Sequence, residues 1–561
     1  MTPLIPPTHA SVQGPQSAWY DSGANLLGLT ETSPAGTWER LRRVDLSRWI
    51  PAMTALLVLL GILFRLRFYL FNRSLWFDEA LLTVNIISRP FDALVPPLEF
   101  HQGAPFGFLA LEKAAIAVFG TSEFALRAVP LFASIAALLL LYSLCRRILS
   151  VPATLVTVGL FALSTQQIGY SAEVKPYSMD TVVGLLVTLM AIRAAETLRR
   201  RHLAVLALTG AVVVWFSYPA AFVLAGIGIC LAASPLRHRD WVRVAQLAAI
   251  GLLWAISFAI CYSITVRPIA RDTFVSDMWA SAFMPWSVSY WTLDWVLGQS
   301  LGFFKDPVGM TLSGLGVFGF LAGWAANDRS WRLQRWILAS PLAVAFVAAA
   351  VHRYPFDGRF LNFAVPSILC IVGLGIARVA EMSRLKAPAI ALSLVALVFL
   401  DPVRDASFLA LRPQGREEIR PVLDYVRQHE VRGDAVYLYY RTEPAFTYYS
   451  EQWKDGARLQ TAKIVHTHPG GDLHGQDELD ALEVMNWNDR SAAFLRALDE
   501  LRGQTRVWVV FYHVRVRDGV NDERWLLDQL DRLGKQRDRV SSPGASAYLY
   551  DLQPNPALQT G

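Results

Sequence analysis

The run FALRAVPLFASIAALLLLYSLCRR, residues 124–147, decides the architecture. Its first part, 124–144, is almost wholly apolar and long enough to cross a bilayer, which takes ~20 residues of helix. Arg146 and Arg147 close it. A basic pair at the end of an apolar run marks the cytoplasmic end of a span. Comparable runs cover 49–70, 152–169, 181–198, 203–217, 219–234, 244–264, 308–325, 336–351, 360–378 and 387–400. Together they predict an α-helical polytopic membrane protein with about eleven spans.

The charges set a direction for these spans. Arg40, Arg42, Arg43 and Arg48 precede the first run. Basic clusters then follow every even-numbered run: Arg146 and Arg147, Arg199 to Arg201, Arg237 with Arg239 and Arg243, Arg329 with Arg332 and Arg335, and Arg384 with Lys386. The N-terminus and those loops are therefore expected in the cytoplasm, and the odd-numbered runs end outside. An odd count of spans places 401–561 outside too. The expected location is the bacterial inner membrane.

Composition agrees with this. The chain of 561 residues is 53% hydrophobic and 17% charged, against roughly 25% charged in soluble domains. A net charge of +6 could suggest nucleic acid, but the arginines sit between apolar runs, as membrane topology requires. Cys145, Cys230, Cys261 and Cys370 lie in or beside apolar runs, with no zinc-site spacing.

Three of the regions outside the spans have a reading of their own. Residues 1–48, rich in Pro, Gly, Ser and Thr, read as a disordered cytoplasmic tail without a signal-peptide pattern. Residues 71–122 read as a large outside loop, with an interfacial helix from Phe106 to Phe119 that carries Glu112 and Lys113. Residues 401–561 read as a small soluble α/β domain in the periplasm, following a membrane domain over 49–400. In it Glu417–Glu430 and Asp522–Leu533 have helical patterns, and Ala435–Tyr440, Arg506–Tyr512 and Ala545–Leu552 are strand-like. Arg65 and Arg67, in the outer turns of the first span, are expected to snorkel or to face a polar cavity.

Three polar groups map to the outside face. Trp76-Phe77-Asp78-Glu79 places two adjacent acids at a membrane surface. Asp78 could serve as general base, although such a pair also suits a helix start. Tyr170 to Asp180 holds Glu173, Lys175, Tyr177 and Asp180, a set able to bind a sugar, a divalent cation or a phosphate. His352 to Arg359 holds Arg353 and Arg359, cations that suit a phosphate or a lipid headgroup. His101 precedes Gln102-Gly103-Ala104-Pro105 and reads as structural or as a further ligand. No Walker loop, dinucleotide fingerprint or zinc-protease helix occurs.

The order of these groups resembles the GT-C superfamily of membrane glycosyltransferases, and within it the bacterial relatives of glycosyltransferase family 39. That branch includes the protein O-mannosyltransferases and lipid A aminoarabinose transferase. The similar elements are Asp78-Glu79, Ala104 to Phe108, the run Phe119-Gly120-Thr121-Ser122-Glu123-Phe124-Ala125-Leu126-Arg127, Tyr170 to Tyr177, and Tyr354 to Arg359.

The resemblance implies inverting transfer of a sugar from a polyprenyl-phosphate donor to a glycan, lipid or protein acceptor on the periplasmic face. It makes Asp78 the base and Glu79, Glu173 and Asp180 its support or contacts for a divalent cation. Lys175 and Arg359 become contacts for the donor phosphate, with Tyr177, Arg353 and His101 in the substrate site. Gln102 and Gly103 depart from the acidic residue and Lys of aminoarabinose transferase, which argues against its zinc site and its substrate. The rival readings are a transporter or flippase and a non-catalytic protein of envelope-glycan assembly. Transporters usually carry their ionisable groups near the midplane of broken helices, whereas here the acids lie in loops.

Overall fold

The structure is a computed structural model that describes residues 48–553, apart from 96, 198, 287–289, 327–330, 387, 454–462, 467–475 and 518. All but the last residue of the tail expected over 1–48 lies outside the described residues. Among them, seven helical stretches are long and apolar enough to cross a membrane: Ile50–Phe71, Glu123–Ile148, Tyr177–Thr197, Ala220–Arg237, Trp241–Ala270, Arg332–Ala350 and Gly358–Ser383. Val151–Leu163 and Ser313–Ala325 are apolar but shorter. By length and composition the count of about eleven is therefore not confirmed among the described residues.

The third expected span shows why. It is broken at Ser164 into helices Val151–Leu163 and Thr165–Tyr170, and the Ser164 side chain caps the second by accepting from the Gln167 amide. A helix end leaves carbonyls without partners. Here Arg65, fully buried, donates to the Phe161 and Ala162 carbonyls at 3.3 and 3.2 Å, to Gly61 at 2.9 Å and to the Ser134 hydroxyl at 2.8 Å. Arg65 thus neither snorkels nor faces a polar cavity. It closes the broken end of a neighbouring helix, whose dipole favours a cation there. The chain can then turn at Ser164 towards the Glu173–Lys175 loop.

Residues 71–122 are largely structured. Helices Phe77–Ser88 and Phe106–Phe119 pack together, the second with the bounds expected from sequence. Lys113 joins them by donating to the Ile86 and Ile87 carbonyls at the end of the first, the usual place for a cation on a helix.

Beyond the helix Pro388–Leu411, a five-stranded mixed sheet forms. Strand Ala435–Leu438 pairs in parallel with Lys463–His466 and with Val507–Tyr512, and Ala545–Asp551 joins Val507–Tyr512 and Lys535–Ser542 antiparallel. Val507–Tyr512 is buried throughout, as a central strand covered on both faces must be. Helices Arg420–His429 and Asp522–Leu533 lie near their expected bounds. The core does not stop at the domain edge. Leu75, Leu82 and Phe108 of the first loop pack in one apolar cluster with Val422, Val436 and Trp508.

Candidate active site

Asp78 and Glu79 lie in the first turn of helix Phe77–Ser88, where the helix dipole favours negative charge. Neighbouring helical residues point about 100° apart, so the two carboxylates diverge. Glu79 turns inward and is fully buried. It pairs with Arg73 at 2.7 Å and with Arg127 at 3.0 Å, and accepts from the Val174 amide at 2.9 Å and the Trp76 amide at 3.2 Å. Burial would raise its pKa, but Arg127 and Arg73 outweigh burial and hold it below the usual carboxylate range.

Asp78 turns to the partly open side. One oxygen takes the Lys175 ammonium at 2.9 Å and the other the Arg359 guanidinium at 2.8 Å, from a residue 281 positions away. Burial again pushes the acid upward, yet the two cations bring its pKa down to about 2. Lys175 also donates to Gln102 at 2.6 Å. Its own pKa is lowered, chiefly by burial, against the pull of Asp78.

Arg359 follows Gly358, whose φ of +39° suits a residue without Cβ. Its guanidinium lies over the rings of Trp279, Tyr177 and Trp76 at 5.4, 5.6 and 5.8 Å. Tyr177 opens the helix Tyr177–Thr197, and its carbonyl accepts from the Asn362 amide. The structure therefore joins Asp78, Lys175, Arg359 and Tyr177.

The other residues expected at the site fall into two groups. Glu173 lines a small cavity of about 40 Å³ with Arg73, Gln166, Tyr170 and Arg416. Burial and the neighbouring Glu79 raise its pKa against the pull of Arg73, Arg416 and Arg359. One Glu173 oxygen and the Trp76 indole N–H are buried without a hydrogen-bond partner among the described residues. Asp180 is buried one turn beyond Tyr177, with one oxygen in the same state.

His101 does not touch Asp78. Its ring lies between Asp272 and Asp480, the latter at 2.8 Å, and stacks on Phe274. Burial lowers its pKa and the two acids more than restore it. The structure places Arg353 apart from the cluster. Its side chain is exposed, and the ion pairs of Asp78 are with Lys175 and Arg359 instead. Among these residues no three His, Cys, Asp or Glu side chains form a group able to hold a metal ion.

A larger apolar cavity of about 620 Å³ opens between helices Arg200–Val213, Ala220–Arg237 and Trp241–Cys261. Phe222 lines it and lies 4.6 Å from the Tyr354 ring, whose hydroxyl donates to the Phe360 carbonyl beside Arg359.

The Gly120 to Arg127 run has a structural use at each polar position. Ser122 caps the helix Glu123–Ile148. Glu123 accepts from Arg420 at 2.7 Å and from the Tyr449 hydroxyl at 3.1 Å. Arg127 pairs with Glu79 and also donates to the Arg73 and Ser74 carbonyls.

Known proteins resemble the chain in part of its sequence and in fold. Residues 103–263 match the family described as dolichyl-phosphate-mannose-protein mannosyltransferase. The apo crystal structure of ArnT from Cupriavidus metallidurans aligns with 90% of this chain and 98% of its own, with a TM-score of 0.51 and 10% identity. The fold is that of a GT-C glycosyltransferase. Two further structures align at lower TM-scores. ArnT from the same organism bound to undecaprenyl phosphate gives 0.49 at 11% identity, over 90% of this chain and 98% of that one. The oligosaccharyltransferase AglB from Archaeoglobus fulgidus, in complex with an inhibitory peptide and a dolichol-phosphate, gives 0.42 at 12% identity, over 90% of this chain and 74% of that one. No curated protein matches the chain. The GT-C resemblance read from the sequence holds in the family match over residues 103–263 and in the fold.

Proposed function

We propose that the chain transfers a sugar from a polyprenyl-phosphate donor to an acceptor hydroxyl on the periplasmic face, with inversion, and that Asp78 is the general base. The observation that carries this reading is the Asp78–Lys175–Arg359 cluster: one carboxylate shared by two cations at 2.9 and 2.8 Å. The family description, which names a dolichyl-phosphate sugar, supports the donor class.

The chemistry follows from the charges. The acceptor oxygen attacks the anomeric carbon while the carbon–oxygen bond to the phosphate breaks. The phosphate leaves with the electron pair, stabilised by Lys175 and Arg359. The acceptor proton passes to Asp78. An acid with a pKa of about 2 is a weak base. The incoming phosphate competes for both cations, which frees Asp78 and raises its basicity as the donor binds. Glu79, enclosed by Arg73 and Arg127, positions the Asp78 turn instead of touching substrate. The apolar cavity beside Phe222 suits the prenyl chain.

Removing a charge-assisted contact to phosphate costs about 1.5–3 kcal/mol. Arg359→Ala should therefore weaken binding of undecaprenyl phosphate to the purified protein about 10- to 100-fold, with thermal stability retained. Equal affinity in the variant would remove Arg359 from the donor site. The proposed side of the membrane has its own test. Alkaline phosphatase fused after Gly561 should be active, and fusions after Arg147 and Arg201 should be silent. The opposite pattern would place the site in the cytoplasm.

A further inference from the structure

The residues just before Asp78, Asn72 to Trp76, form no helix. They are a strap between helices Ile50–Phe71 and Phe77–Ser88, and Asn72 begins it with φ of +49°. Backbone groups in such a strap have no helical partners, and buried ones need others. Arg127 serves the Arg73 and Ser74 carbonyls from the membrane domain.

Most of the remaining partners come from beyond residue 411. Glu418 accepts from the Ser74 amide at 3.0 Å and from its hydroxyl at 2.7 Å. Glu417 accepts from the Phe77 amide at 3.0 Å. Arg420 donates to the Asn72 carbonyl at 2.6 Å. Leu75 is the sharpest case, because it is fully buried. Its amide donates to the Tyr449 hydroxyl and its carbonyl accepts from the Tyr512 hydroxyl, both at 2.8 Å. The side chains are gripped as well: Phe77 stacks on His513 at 4.4 Å, and Arg416 lies over Trp76 at 4.9 Å.

We propose that the C-terminal domain acts as an intramolecular clamp on this strap, with Glu417, Glu418, Arg420, Tyr449 and Tyr512 as positioning residues that aim Asp78. The inference rests on the reading of Asp78 as the base. None of the five touches Asp78; they fix the backbone from which its helix starts. The domain thus holds the start of the Asp78 helix in place without entering the reaction centre. An error of about 1 Å in a reacting group can cost on the order of 100-fold in rate, which sets the scale of the effect.

The test uses the full-length protein in lipid nanodiscs. Hydrogen exchange is followed over residues 72–79, together with kcat and KM for a polyprenyl-phosphate sugar and binding of undecaprenyl phosphate. Tyr449→Phe combined with Tyr512→Phe strips both partners from Leu75. Glu418→Gln is the milder variant, because its amide oxygen can still accept both hydrogen bonds from Ser74, only without the charge that strengthens them. The double variant should exchange the Ser74 to Phe77 amides at least about tenfold faster and lose about 10- to 100-fold in kcat. KM and undecaprenyl-phosphate affinity should stay within about twofold. Glu418→Gln should fall between the double variant and the unaltered chain in both exchange and kcat.

Unchanged exchange in both variants would overturn the clamp, as would lost protection with full kcat. If the double variant loses protection everywhere, Glu418→Gln decides, and equal losses in kcat and phosphate affinity there would reduce the contacts to general stability. Failure of the unaltered chain to bind undecaprenyl phosphate or to transfer sugar would refute the functional reading instead, and the exchange data would still decide the clamp.

Discussion

Asp78→Asn should lower turnover by a factor of about 100 to 10,000, the usual worth of a general base. The amide matches the carboxylate in size but cannot take the acceptor proton. Donor binding should survive, and undecaprenyl phosphate should bind at least as tightly, because it no longer competes with a carboxylate for Lys175 and Arg359. A residue that merely braced the site would show the opposite pattern, with affinity lost alongside rate. The pH dependence provides a second mark. The Asp78 pKa is depressed to about 2, so its pairing stabilises the fold above the ordinary carboxylate range, and that contribution fades as pH falls towards 2. In kcat/KM, which reports the free enzyme, no acid limb from Asp78 should appear above about pH 4. In kcat, where phosphate holds the cations, the limb should sit higher. Full turnover in Asp78→Asn would end the base assignment.

Glu79→Gln should have the largest effect on stability. Glu79 faces Arg73 and Arg127, both almost fully buried, and is their shared counter-charge. Removing one member of a buried ionic group leaves the others uncompensated, at a cost of about 3–5 kcal/mol. The same carboxylate ties the Val174 amide to the start of helix Phe77–Ser88. Its loss should therefore loosen Lys175 as well as the fold. A melting temperature lowered by about 5 °C or more, with weaker undecaprenyl-phosphate binding, is the expected result in detergent. A variant with wild-type melting and reduced turnover alone would make Glu79 a participant in the chemistry.

The sequence made some of this visible and hid the rest for physical reasons. Asp78, Lys175 and Arg359 stood out because charge beside an apolar span needs a partner, and the structure supplies one for each. The helix Phe106–Phe119 and the strands around Ala435 and Val507 were readable because their apolar patterns match a local period. The span broken at Ser164 was not. Its two halves have continuous hydropathy, and the break is stabilised by Arg65 from another helix, about a hundred residues away in sequence. The strand Lys535–Ser542 was missed because its sequence, KQRDRVSS, is polar at an exposed sheet edge, and its register is set by its neighbour.

Arg353 and Arg359 look alike in sequence, six positions apart, and only the fold turns one of them towards Asp78. The roles of Trp76, Gln102, Trp279 and Arg416 were also hidden, since aromatic and amide side chains carry no charge signature and Arg416 acts from beyond the last span. The one available signal was the crowding of Arg416, Glu417, Glu418 and Arg420 just after it.

The central claim is that Lys175 and Arg359 hold the donor phosphate while Asp78 waits beside it. A structure of the full-length protein with undecaprenyl phosphate tests this most directly. The phosphate should lie within hydrogen-bond distance of Lys175 and Arg359, with Asp78 released from at least one of them and the prenyl chain running into the apolar cavity beside Phe222. A phosphate bound elsewhere, with the Asp78 ion pairs intact, would contradict the account.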